Sequence, residues 1–461
     1  MKAATVYPMV LTIATLAAGL RGAGGEEVPT YSLRSTRQAG QIDRVTILLE
    51  AAGDLLMRSG PRGEKNEKTP MSLVFKRQYD EKTLELPAAG AAAKRWRSVR
   101  WYDDAEATLD LAHEPQKLTL SPGHRLIGLE VAPNSVTHFC PRGPLSLAEL
   151  ELVRTVGDSL SLDALLPSEA VPSGRKWKIP DEVVTVLADL EQVKTNTVET
   201  LLKEVTPRLA RLELAGRVEG TRDGATVRID LAAKCRFDRA SGRIDWFAMK
   251  FKQQQDISLA EDGLNLEALV QIRIAPVETS EHLAEAALAD LPLRPTDALS
   301  RVLYQPPDGT WQLLHDRSWF QTSHTRQLYV FHRIDRGQDV GLCKISPKTK
   351  VAPEKVISLE QFQAEVREAL DKNFGEVLEA AQLSTEAGCQ AYRVVVKGSD
   401  KGLQKGTESD IPTRWHYYLV FDPQGRQAAF AFRIEESKVE AFGKADEPLI
   451  QSFRFVEGKK D

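Results

Sequence analysis

Eight histidines, four cysteines and two acidic clusters are the residues from which this chain of 461 could assemble a reaction centre. His315, His324 and His332, with Asp316 and Asp335, form the densest set, and mixed imidazole and carboxylate is what holds a transition metal once folding brings it together. His113, His124, His138, His282 and His416 are scattered. Asp103, Asp104 and Glu106 fall between two expected strands and carry the hard oxygens that calcium takes, but their spacing fits no EF-hand loop, and they read as a solvated acidic turn in preference to a calcium site. The sequence has no HExxH, no GxSxG elbow, no P-loop and no GxGxxG behind a strand. It therefore designates no catalytic, metal-binding or cofactor-binding residue and calls for no cofactor.

Cys140 and Cys235 lie in the first half of the chain, Cys343 and Cys389 in the second. In an oxidising compartment this even count invites one bridge within each half. As free thiols they would behave as small hydrophobes, and Cys235 sits on the apolar side of its strand. No CxxC pair suggests zinc or a redox dithiol.

The clearest framework is the stretch 207–275. Leu212, Leu214 and Val218 alternate with Arg211, Glu213, Arg217 and Glu219, as a half-buried strand requires. Asp223-Gly224 turns the chain into Val227, Ile229, Leu231, Ala233, Cys235 and Phe237. Ser241-Gly242 and Asp262-Gly263 lead to two further strands, the last with Leu266, Ala268, Val270, Ile272 and Ile274 on one face. This meander must cover its apolar side with helices, a second sheet or a ligand. Val227, Ile229, Leu231, Phe237, Leu266, Val270 and Ile272 are accordingly expected either in the core or as the wall of an apolar pocket.

Around the meander, long strands are expected at 46–57, 71–86 and 96–111, with bulges at Gly53 and at the polar stretch 77–82. Ser146 with Glu149 forms a capping box for a helix, and 181–190 reads as a second helix, so these two are the natural cover for the sheet. Gln253, Gln254 and Gln255 read as a polar strand edge, and Trp96 and Trp101, five residues apart, as facing opposite sides. The plan is an α+β protein: a large curved antiparallel sheet domain at 28–278 with covering helices, a helical linker at 279–299, and a smaller α+β domain at 300–457. In the latter, Ser358 with Gln361 caps a helix whose Leu359, Phe362, Val366, Leu370 and Phe374 share a face. A terminal helix at 435–445 and a strand at 449–456 close the chain. Trp311, Trp319, Trp415, Tyr417 and Tyr418 crowd this domain and are expected in its core, or at a contact surface if exposed together.

The aromatic strand at 310–319, a strand ending in CKIS, the helix LEQFQAEVREAL, AYRVVVKG, WHYYLVFDPQGRQAAFAF and the closing VEAFGKADEPLIQSFRF resemble the Mog1/PsbP-like fold over 300–457. That resemblance implies protein binding and no catalytic residues. By its strand-helix-strand order, 28–278 is similar to the LolA/LppX half-barrels of exported bacterial proteins, which implies a lipid held inside the sheet. The pairing of the two domains is similar to that in secreted proteins of planctomycete-type bacteria.

Lys2, the uncharged apolar run 10–20 and the small residues Ala17, Ala18, Gly19, Gly22 and Ala23 read as an export signal within 1–25, with an uncleaved anchor as the alternative. The expected location is periplasmic or extracellular, and the signal-free chain has no further stretch suited to span a bilayer. Formal charge is -4, with 61 basic against 65 acidic residues spread along the chain, so no basic field exists for nucleic acid. The expectation is a non-catalytic binding or scaffold protein of the cell envelope, holding an apolar small molecule in the first domain and a protein partner through the second. The alternatives are an envelope-polymer hydrolase working through a convergent carboxylate pair and a purely structural envelope component.

Overall fold

The computed structural model describes residues 28–59, 65–87, 95–132, 135–154, 156–335, 337–404 and 407–457. The expected export signal lies outside them. Nearly all strand pairings are antiparallel, and the helices are few and short, so the molecule is a β-rich fold in which the helical share of the α+β expectation is small.

Thirteen strands of the first domain form one sheet. Its first half contributes β1 (Ile42–Ser59), β2 (Lys65–Glu85), β3 (Trp96–Leu111), β4 (Leu126–Ala132) and β5 (Ser135–Phe139). The second half contributes β6 (Glu199–Val205), β7 (Leu209–Arg222), β8 (Ala225–Asp238), β9 (Arg243–Gln255) and β10 (Gly263–Val277), the last four being the expected meander. Strands β1 and β10 join the halves, pairing from Ile42 opposite Val277 to Leu56 opposite Gly263.

Alternation decides which way the sheet faces. Val227, Ile229, Leu231, Ala233, Cys235 and Phe237 of β8 are each at most 5 % exposed, and burying a large apolar side chain stabilises by about 1.5–3 kcal/mol. The other face carries cross-strand ion pairs such as Arg217 with Asp230 (2.6 Å) and Arg236 with Asp245 (2.7 Å), which water screens, so they add little to stability. Charge outside and apolar residues inside is the inverse of a membrane barrel. Among the described residues no helix is long and apolar enough to cross a membrane.

Residues 145–190 fill the concave side. Helix α1 (Leu147–Val153) begins at the Ser146–Glu149 capping box, and α2 (Asp181–Leu187) follows Pro180. Leu150, Val153, Val184 and Leu187 of these helices share one core with Ile47 and Ile127 from the first half of the sheet and Leu212 and Phe247 from the second. Both halves therefore curl around a single plug. The seven residues put forward as a pocket wall all belong to this core: six are buried, and Leu266 packs half-buried against it.

A second set of contacts ties plug to sheet. Arg100 Nε donates to Glu81 at 2.7 Å and its Nη2 to Asp158 at 2.8 Å, while Ser159 Oγ donates to the other Glu81 oxygen at 2.8 Å. Arg37 donates to Asp163 at 3.1 Å, and Arg243 bonds Asp43. Arg77 donates to the Val153 and Arg154 carbonyls at 2.7 and 2.6 Å, capping the end of α1. The polar stretch at 77–82 is thus more than a bend. A bulge does occur between Gln78 and Tyr79, leaving Asp103 unpaired in β3, but Arg77 and Glu81 turn inward and are buried. Gly53 makes no bulge; it pairs in register with Leu266, and a Cβ there would collide with the Asn265 carbonyl oxygen. Gln253 and Gln255 are buried on the central strand β9 and do not form an edge.

The stretch 279–299 is broken into short turns, Glu281–Leu283, Glu285–Leu288 and Asp297–Ser300, instead of one helix. Leu283 and Leu288 dock on Val99 and Leu126, and His282 stacks on Trp101 with ring centroids 3.8 Å apart. Trp96 packs in a different cluster, as the five-residue spacing predicts.

The second domain holds β11 (Val302–Tyr304), β12 (Trp311–His315), β13 (Trp319–His324), β14 (Tyr329–Asp335), β15 (Gln338–Lys348), α3 (Leu359–Leu370), β16 (Phe374–Ser384), β17 (Gln390–Gln404), β18 (Thr407–Phe421), β19 (Gln427–Glu435), α4 (Glu447–Ser452) and β20 (Arg454–Phe455). Seven of these strands form a sheet in the order β13-β14-β15-β19-β18-β17-β16. Phe362, Val366 and Leu370 of α3, with its Ser358–Gln361 capping box, cover Val394, Val396 and Trp415. Elsewhere Leu449 and Ile450 of α4 pack with Trp311, Phe430 and Phe432. Trp311, Trp319, Trp415 and Tyr418 are buried, as expected of core residues, and of these Trp319 also borders a cavity. Phe374 opens β16 and does not extend α3, and 449–452 is helical where a strand was expected.

Candidate functional site

The two domains meet at a cleft of about 890 Å³. Strand β11 pairs in parallel with Leu145 and Ser146, so the second domain is attached at the start of α1. Arg317, in the loop between β12 and β13, donates to the His138 carbonyl at 2.5 Å and to the Ser300 carbonyl at 3.3 Å. These tethers fix one wall (Tyr304, Trp319, Phe320) opposite the other, which is built from α1, the end of α2 and two hairpin turns.

Each acidic side chain of the cleft is placed by a local element. Glu151 and Arg154 come from the last turn of α1, Asp189 and Glu191 from the chain leaving α2, and Glu261 from the turn between β9 and β10. Asp223 and Gly224, at φ 49° and 75°, form the hairpin turn read from the sequence, and that conformation favours glycine and tolerates aspartate. Arg154 is paired with Glu151 and Asp189, each at 3.1 Å, and Arg222 approaches Asp189 at 3.9 Å. Glu191, Asp223 and Glu261 have no ion-pair partner among the described residues.

Confinement displaces these groups. Burial, then the charges of Asp223 and Glu151, lifts the Glu261 carboxyl to about 7. Burial also raises Asp223 and, with Asp223 as neighbour, Glu191, against the pull of Arg154 and Arg222, although the Glu191 side chain is itself exposed. Glu151 is raised by burial too, although its side chain is 56 % exposed. Glu261 likewise stays in contact with water inside the concavity, which screens its charge and limits the free energy attached to its displacement. On the opposite side, burial and the nearby Arg154 lower the Arg317 guanidinium to about 10. Leu147, 59 % exposed, adds an apolar lip. Such a cleft suits a ligand that brings both cationic and apolar groups.

Other sites weighed from the sequence do not assemble. The seven candidate pocket-wall residues line neither this cleft, nor the adjoining groove between the domains, nor the grooves on the charged face of the sheet. All four cysteines are free and buried, which replaces the expected bridges; Cys140 and Cys235 sit in one core, Cys343 and Cys389 in another. His315 bonds the Asp316 carbonyl, His332 bonds Asp339 at 3.1 Å, and His324 stacks on Tyr329, so the three imidazoles do not converge. Among the described residues no group of acidic, histidine and cysteine side chains could hold a metal. Asp103 and Asp104 lie within β3, not in a turn, and Glu106 pairs with Lys117 at 2.7 Å. One polar cluster was not anticipated: the buried Asp446 accepts from His416 at 2.7 Å and Tyr418 at 2.6 Å. Burial would raise that carboxyl, but these bonds and Arg393 hold it below its ordinary value, and it anchors the loop before α4 to the sheet.

The acidic cleft residues were missed because they come from four separated segments, each of which reads as an ordinary helix end or turn. Acidic residues at the end of each helix, Glu151 in the last turn of α1 and Asp189 and Glu191 in the chain leaving α2, were the available signal.

No family model and no curated protein matches the chain. Among solved structures it is similar to the Ran-binding protein Mog1p of Saccharomyces cerevisiae, at 9 % identity over 34 % of this chain and 96 % of that one, with a TM-score of 0.26. It is also similar to a BenF-like porin from Pseudomonas fluorescens (6 % identity, 85 % and 97 % covered, TM-score 0.11) and to the outer membrane protein OprD from Pseudomonas aeruginosa (8 %, 92 % and 96 %, 0.12). At these scores the likenesses carry no argument about function.

Proposed function

We propose that this is an exported, non-catalytic binding protein of the cell envelope that holds a basic, partly apolar segment of a partner protein between its two domains. The observation that carries this reading is the set of unpaired, displaced carboxylates Glu191, Asp223 and Glu261 opposite the apolar wall of Tyr304, Trp319 and Phe320. A cationic side chain entering the cleft gives those carboxylates the direct ion pair they do not make among the described residues, and because Glu191 and Glu261 meet water each such pair is worth under about 1 kcal/mol. The apolar-ligand reading for the first domain has less support, because helices α1 and α2 pack against the apolar face of the sheet.

The test is isothermal titration with short amphipathic peptides containing lysine and arginine. Binding is expected for the wild type and is expected to fall at least about tenfold in the triple variant Glu191→Gln, Asp223→Asn, Glu261→Gln. Equal affinity in both proteins would remove the cleft as the site. One observation favours hydrolysis as a second reading: a carboxyl with a pKa of about 7 is suited to general acid work. Release of fragments from envelope glycan by the wild type and none by Glu261→Gln would replace binding with turnover.

A further inference from the structure

The inner wall of the cleft contains polar groups that the carboxylates do not explain. His138 of β5 is 3 % exposed and lines the cavity, and neither of its ring nitrogens has a hydrogen-bond partner among the described residues. The indole Nε1 of Trp319, on the same cavity and 2 % exposed, is also unpartnered. A buried polar group left without a partner costs about 1–3 kcal/mol, and the two stand on opposite domains.

Resting on the function proposed above, we propose that His138 and Trp319 form a subsite for peptide groups: they hydrogen-bond the amides of an extended segment while Glu191, Asp223 and Glu261 take its cationic side chains. Burial, reinforced by Arg100 and Arg317, keeps the His138 imidazole neutral. A neutral imidazole offers one donor and one acceptor, the complement of a peptide carbonyl and N–H, and the indole adds a donor for a second carbonyl. The groups facing His138 from both domains include Arg100, Arg154 and Arg317, so a ligand cation is repelled from this end and directed toward the carboxylates. An uncharged glycan would satisfy the imidazole but bring neither the cation nor the apolar side chains that the rest of the cleft accommodates.

The test uses the full signal-free chain and one basic amphipathic peptide that binds it, compared with the same peptide N-methylated at single backbone amides. Methylation of at least one central amide is expected to weaken binding about tenfold, the worth of one well-made hydrogen bond. His138→Leu is expected to abolish that sensitivity, and His138→Gln to restore part of it. The His138 ring nitrogen resonances should shift when the unmodified peptide is added, a readout that needs no variant to fold. If the peptide binds and requires the three carboxylates, yet every N-methylated form binds equally and the His138 signals stay unmoved, the subsite is wrong while the proposed function stands. If no basic peptide binds, both fall.

Discussion

Two regions of this molecule confine carboxylates, and they treat them in opposite ways. Between sheet and plug, each of Asp43, Glu81, Asp158 and Asp163 meets an arginine, with Arg100 bridging two of them and Arg37 reaching three. Arg100 and Arg37 hold the Glu81 carboxyl below its ordinary value against the pull of burial, whereas at Asp43 burial wins over Arg37 and Arg243. In the interdomain cleft Glu191, Asp223 and Glu261 make no direct ion pair among the described residues, and the nearby Arg222, with Arg154 at the first two, does not outweigh burial, so all three are raised. Charges closed into pairs serve the architecture. Charges confined but left open are where a second molecule can supply what the fold does not.

The sharpest way to break this contrast is to open the closed network. Arg100→Met leaves Glu81 and Asp158 buried without their cation and is expected to cost about 3–5 kcal/mol, read as a lower urea midpoint; a change under about 1 kcal/mol would mean that water already reaches the network. A smaller effect of opposite sign is expected in the cleft. Because the Glu261 carboxyl is raised, its protonated form favours the folded chain at low pH, and that contribution is lost as pH rises from the ordinary value near 4.3 to about 7. Glu261→Gln should flatten the stability profile across this window and leave the variant more stable at pH 8, by under about 1 kcal/mol because the carboxylate meets water. Unchanged curves would show that the cleft does not confine Glu261. The smallest effect concerns the thiols: reductant should leave the melting temperature unchanged, and denatured protein prepared without reductant should titrate four thiols. A count of two or none would restore the bridges expected from sequence.

Strands with clean alternation were legible. Leu212, Leu214 and the inward residues of β8 and β10 fall on one face as their period demands, and both capping boxes, at Ser146 and Ser358, start helices. Legibility failed where polar residues face inward. Arg77 and Glu81 look like an interruption because a sequence pattern counts every charge as solvent-facing, and only the arrival of Arg100, Arg37 and the plug makes their burial tolerable. The cleft failed for a related reason. Glu151, Asp223, Glu261 and Trp319 become neighbours of one cavity through tertiary packing, which no local period records.

The pairing of β1 with β10 has a consequence in time. Residues 42–56 pair on one edge with the adjacent β2, but their other edge finds its partner only in 263–277, so a chain delivered from its amino terminus keeps that edge of β1 uncovered until more than half of its length has emerged. Non-local pairing of this kind slows folding and leaves strand edges open to other chains meanwhile. The sheet cannot be completed piecemeal, and a truncation before residue 263 removes the seam on which both halves depend.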